Sequence, residues 1–109
     1  MKIGLLDLAE ILGIHEGTLY GMIQAKIITS YEETPQKRKR YFFSEDDVVP
    51  AMITYELMSF GISRKQAAEM GSWFLQNPDK PFQSKTGIAI SIDIEKYRNA
   101  VHSAFEKKF

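Results

Sequence analysis

Two short helical patterns, with only two residues between the glycine that stops the first and the start of the second, constrain this chain more than any other feature. Leu5, Leu8, Ile11 and Leu12 recur at the spacing of one helix face, and Gly13 follows them directly. A glycine at that point suits a left-handed C-terminal cap, which ends a helix. A second apolar pattern, Leu19, Met22 and Ile23, starts after Ile14 and His15 and continues to Ile27 and Ile28. The spacing predicts a helix, a tight turn and a second helix.

That arrangement is a helix-turn-helix, whose second helix is shaped to enter a major groove. The second helix is expected over residues 16–26, with His15 in the N-cap position. After Ile28 the pattern shifts towards alternation and gains Thr, Ser and Tyr, which predicts strands over residues 28–33 and 38–43. They join at Thr34-Pro35-Gln36-Lys37, where Pro35 suits the first corner of a turn. Lys37, Arg38, Lys39 and Arg40 are consecutive and make the hairpin basic. A hairpin directly after a helix-turn-helix stands where a wing would, so residues 34–41 are expected to be a basic wing. The plainer alternative is a charge run that keeps a sheet edge soluble.

Further along, Ser44 precedes Glu45, Asp46 and Asp47, a helix start with an N-cap and a candidate capping box. Pro50 in the second turn predicts an irregular opening. Met52, Ile53, Leu57 and Phe60 are expected to form a buried stripe ended by Gly61. Ser63 then caps a helix from Arg64 to about Gln76, with Ala67, Met70 and Phe74 inward and Asn77-Pro78 as its stop. Trp73 and Phe74 are adjacent and cannot both face one core, so one is expected to meet the C-terminal segment or a second copy. Residues 77–87 are expected to be a loop. Ile88, Ile90, Ile92 and Ile94 alternate with Ala89, Ser91 and Asp93, which predicts a half-buried strand. It packs as core or, alternatively, pairs its edge with a twin chain. A final helix from Glu95 to Lys108 places Tyr97, Val101, Ala104 and Phe105 on one face. The expected fold is mainly α with a β-hairpin wing: a winged helix-turn-helix of four helices plus a C-terminal strand and helix. In domain terms, residues 1–76 form the winged module, 77–87 a loop, and 88–109 a segment for packing or dimerisation.

The totals narrow the function classes. A length of 109 residues makes one domain with a single core. The absence of cysteine removes disulfides, thiolate ligands and cysteine redox sensing. No apolar run approaches the roughly 18 residues of a membrane span, and the N-terminus lacks the pattern of a secretory signal, so a cytoplasmic location is expected. Net charge is zero, but it is segregated. Residues 1–34 hold two basic and five acidic side chains, residues 35–43 four basic and none acidic, and residues 44–62 none basic and four acidic. Such a chain can present one positive face to phosphates despite its neutrality, with binding that salt readily weakens.

Three stretches, LLDLAEILGIHEGTLYGMI, KRKRYFFSEDDV and MSFGISRKQAAEM, resemble the MerR-type winged-helix family over roughly residues 3–75. The resemblance implies a four-helix module that binds duplex DNA as a dimer and regulates transcription, often by distorting a promoter. It further implies that the basic residue before the wing aromatic, here Arg40 before Tyr41, contacts phosphate. The first residues of the second helix, Glu16, Gly17, Thr18 and Tyr20, would then reach bases. The chain departs from the family in having Tyr20-Gly21 after Thr18-Leu19 and in lacking a long C-terminal helix. The run Thr18-Leu19-Tyr20 with Ile23 and Lys26 is nearer to the excisionase-like branch, whose members are small phage or mobile-element factors.

Individual residues carry competing readings. Gln24 suits adenine, and Thr18 suits a base or a thymine methyl; ordinary solvation of an exposed face is the alternative. Glu16 can accept from a cytosine amino group, yet its place in the first helical turn is explained by the macrodipole alone. His15 offers a phosphate contact or a cap. Arg64 and Lys65 open a helix, where positive charge opposes the dipole unless a phosphate sits there. With only His15 and His102 and no cysteine, no metal site is expected, and no cofactor, small-molecule effector or catalytic constellation is expected either. The expected partners are double-stranded DNA and a second copy of the chain. An adaptor or phage packaging factor on the same scaffold is the competing function.

Overall fold

The computed structural model describes residues 2–25, 31–33 and 40–108. The chain is mainly helical, with small antiparallel sheets. It opens with a two-residue strand, β1 (Ile3–Gly4), which passes directly into helix α1 (Leu5–Leu12). Gly13 ends α1 at φ 70°, a left-handed conformation that a side chain disfavours, and the Ile14 N–H reaches back to the Ala9 carbonyl at 3.0 Å. Helix α2 (Glu16–Gln24) begins after Ile14 and His15. The expected glycine stop and tight turn are therefore present.

Strands β2 (Tyr31–Glu33) and β3 (Arg40–Phe43) pair antiparallel, and β1 adds to the other side of β3. In the register, Ile3 faces Phe43, and Glu32 faces Tyr41. Tyr41 and Phe43 alternate with the half-exposed Phe42, as a strand with one buried face requires. Residues 28–30 and 34–39 of the two expected strands and their turn lie outside the described residues, as does residue 26 of the expected second helix.

Helix α3 (Glu45–Ser59) starts with the expected capping box: the Ser44 Oγ accepts from the Asp47 N–H, and the Asp47 carboxylate accepts from the Ser44 N–H at 2.9 Å. Pro50 was expected to disturb this opening, but α3 runs through it without a break. A proline removes one ladder hydrogen bond at a cost of about 3 kcal/mol. The cap, three first-turn carboxylates and the burial of Val48, Val49 and Ala51 offset it. The expected inward stripe holds for Ile53 and Leu57 but fails at Phe60, which is 77% exposed because it lies beyond the last helical turn, at the C-cap.

Ser63 caps helix α4 (Arg64–Gln76) by accepting from the Gln66 N–H, and Ala67, Met70 and Phe74 are buried. Residues 77–87 are not a plain loop: β4 (Phe82–Gln83) pairs with β5 (Ala89–Ile90). The isoleucine alternation does not continue as a strand. Ile88 is 63% exposed, and Ile94 is buried as the first residue of helix α5 (Ile94–Lys108). Period-two spacing was broken by a helix start that places Ile94 against the core. Trp73 packs edge-on to Phe82 at 5.4 Å, so the residues between α4 and β5 cover its ring. Ile94, Val101 and Phe105 of α5 share one apolar cluster with Leu8, Leu19, Phe43 and Ile53. Among the described residues, no helix is long and apolar enough to cross a membrane.

Candidate functional site

Helix α2 divides cleanly. Leu19, Met22 and Ile23 are buried, while Glu16, Gly17, Thr18, Tyr20, Gly21 and Gln24 are exposed. Its main anchoring is apolar, at about 1.5–3 kcal/mol for each fully buried large side chain.

His15 is the N-cap of α2. Its Nδ1 accepts from the Gly17 N–H at 3.0 Å, which satisfies one of the amides left open at a helix start. An imidazole that accepts at Nδ1 has its N–H at Nε2, and His15 as a whole is exposed. Gly17 is part of that cap: a Cβ there would stand 3.1 Å from Nδ1. Gly21 has open space on its exposed side, with nothing within 4 Å of a Cβ.

The helix is tied to β3 by two tyrosines. Gln24 donates its Nε2–H to the Tyr41 hydroxyl at 2.7 Å, and the Tyr20 ring meets the Tyr41 ring edge-on at 5.9 Å. Tyr41 is only 6% exposed, so the aromatic expected to border a contact surface is a buried hub, with its hydroxyl serving Gln24. Leu6, Tyr20, Tyr41 and Phe42 line a hollow of about 400 Å³ beside this hub. Sequence reasoning picked out Tyr20, Gln24 and Tyr41 separately. It missed that they touch, because their contact depends on how the sheet lies against the helix.

The expected cations divide differently. Arg40 lies in β3, opposite Glu33 in the register, whereas Lys37, Arg38 and Lys39 lie outside the described residues. Arg64 and Lys65 are exposed in the first turn of α4, which holds no acidic residue. Helix α4 packs chiefly on α3, so these two side chains sit on a different element from the α2 face.

A second concavity, of about 580 Å³, lies between the end of α3 and the start of α5. Met52, Leu57, Phe60, Ile90, Ile92 and Tyr97 give it an apolar lining, with Glu56, Asp93 and Lys96 at polar points. Burial of the phenol and the Glu56 carboxylate beside it push the Tyr97 hydroxyl up to about 12, so it stays protonated and donates. No group of three or more His, Cys, Asp or Glu residues able to hold a metal occurs among the described residues. Comparison with known protein families and with characterised proteins finds no match for this chain.

Proposed function

We propose that this chain is a winged helix-turn-helix protein of MerR type that binds duplex DNA with sequence preference and acts in the cytoplasm as a small transcriptional regulator. The observation that carries the reading is helix α2. It follows α1 through a three-residue turn, is anchored by three buried apolar residues, and exposes Thr18, Tyr20 and Gln24 beside a sheet whose strands flank the basic segment 34–41. In this reading α2 enters the major groove, with Thr18 and Gln24 at base edges. Lys37, Arg38, Lys39 and Arg40 grip the backbone nearby. Arg64 and Lys65, uncompensated in the first turn of α4, suit a phosphate of the same duplex. One copy makes few contacts, so two copies act together on repeated half-sites. The function needs no catalytic residue, cofactor or effector.

The test is a mobility-shift titration over a salt series. Replacing Lys37, Arg38, Lys39 and Arg40 by Ala weakens binding to every duplex and flattens the slope of log K against log salt by up to about 3–4, close to 0.9 per lost phosphate contact. Unchanged affinity and slope would remove the wing from the mechanism.

A second reading, an adaptor or phage-type assembly factor on the same scaffold, has one observation in its favour. Phe60 is 77% exposed at the rim of the apolar cleft in a chain of zero net charge. Absence of binding to mixed duplexes even at low salt would select it over DNA recognition.

A further inference from the structure

We infer that Tyr41 is a positioning residue for Gln24: its hydroxyl holds the Gln24 amide in the orientation that reads an adenine. The inference rests on the DNA-binding reading and adds to it a specificity device within the fold. An exposed glutamine on a helix samples several rotamers, and fixing it on a base gives up that freedom at the moment of binding. Gln24 has already given it up. Its Nε2–H is committed at 2.7 Å to a hydroxyl whose own ring is buried and cannot follow the side chain outward.

What remains on the amide matches one base edge. Nε2 carries two hydrogens, and in the inferred arrangement Tyr41 takes the one pointing away from Oε1, which leaves the hydrogen beside Oε1 and Oε1 itself as a donor–acceptor pair. Adenine presents N7 as acceptor and N6 as donor in the major groove, the complement of that pair, whereas guanine presents two acceptors. Tyr20 reinforces the arrangement by packing edge-on to the same ring at 5.9 Å, which restrains Tyr41 from the adjoining turn of α2.

Selection of bound duplexes from a random library, followed by sequencing, tests this. The native chain enriches a half-site with an adenine position that Gln24→Met flattens. Tyr41→Phe keeps the ring and removes the hydroxyl. It retains the half-site but lowers the adenine preference at that one position by roughly three- to tenfold, the scale of one ordinary hydrogen bond. In a Gln24→Met background, Tyr41→Phe adds nothing further at that position. A hydroxyl that served stability alone would change the melting temperature and leave the base preference intact, and that result overturns the inference. If Tyr41→Phe fails to fold, Gln24→Met decides: a preference profile unchanged at every position overturns it equally. A native chain that enriches no motif would instead refute the DNA-binding reading itself, and the inference with it.

Discussion

Gly71 shows how tightly one residue can be specified by its neighbours. It is buried in α4, where a Cβ would stand 2.6 Å from the Thr54 Oγ1 and 3.1 Å from the Pro50 carbonyl oxygen of α3. Thr54 can shift its side chain, though its hydroxyl lies 3.5 Å from the Ala67 carbonyl, a polar contact between the two helices. The backbone of α3 cannot shift so readily. Gly71→Ala should therefore destabilise the fold by about 1–3 kcal/mol, the usual cost of overpacking. Gly21→Ala is the control. Its Cβ meets nothing, so the change should stabilise α2 by about 0.5–1 kcal/mol. Urea denaturation of both variants checks the pair, and a neutral Gly71→Ala would mean that α3 and α4 lie farther apart than described. The helical cost of Gly21 was legible in the sequence, but the close approach at Gly71 was not, since there both residues are simply glycines within helical patterns. What separates them is the approach of another helix, a property of packing.

At the scale of elements, what was legible depended on whether a signal was local. Gly13, Gly61, Ser44 and Ser63 mark ends of helices where the sequence suggested, because caps act within a few residues of themselves. Strand β1 gave no pattern, since two residues are too short for periodicity, and only pairing with Phe42 and Phe43 defines it. The isoleucine run misled for the opposite reason: its alternation spans seven residues, but only Ala89–Ile90 pair as a strand, and Ile94 already opens α5. The candidate site divides along the same line. The exposure of Thr18 and Gln24 followed from helical spacing, whereas the Gln24–Tyr41 bond joins residues 17 apart in sequence.

A contact between elements also gives a titration. His102 on α5 lies with Nδ1 3.3 Å from the Glu45 carboxylate at the start of α3, and with Nε2 2.9 Å from Glu106. These carboxylates, Glu45 foremost, raise the imidazole above its ordinary value of 6.5. A raised folded-state value means that the contribution to stability is fully present below pH 6.5 and is lost as pH rises through the folded-state midpoint. The group is exposed, so the effect on stability is small and the titration itself is the observable. An NMR titration of the imidazole should place the His102 midpoint above 6.5, and Glu45→Gln should bring it back down. A midpoint that ignores Glu45→Gln would separate α5 from the start of α3.

The whole molecule is where the C-terminal segment finds its role. Phe105 and Val101 are buried in the same cluster that holds Leu19 of α2 and Phe43 of β3. Helix α5 packs chiefly on α3 and belongs to the core that also holds Leu19 of α2. Phe105→Ala removes a large side chain that is only 2% exposed, at a cost of about 3–5 kcal/mol. Against a total stability of about 5–15 kcal/mol for a domain, the loss reaches every element if folding is one cooperative event. Trp73 is the only tryptophan and lies on α4, so its fluorescence reports on a region distinct from α5. In Phe105→Ala, thermal unfolding followed by Trp73 fluorescence and by far-ultraviolet circular dichroism should give one coincident transition at a lower midpoint. Separate transitions, with the Trp73 signal unmoved, would show that α5 is an appendage and that the remaining helices hold the α2 face in place without it.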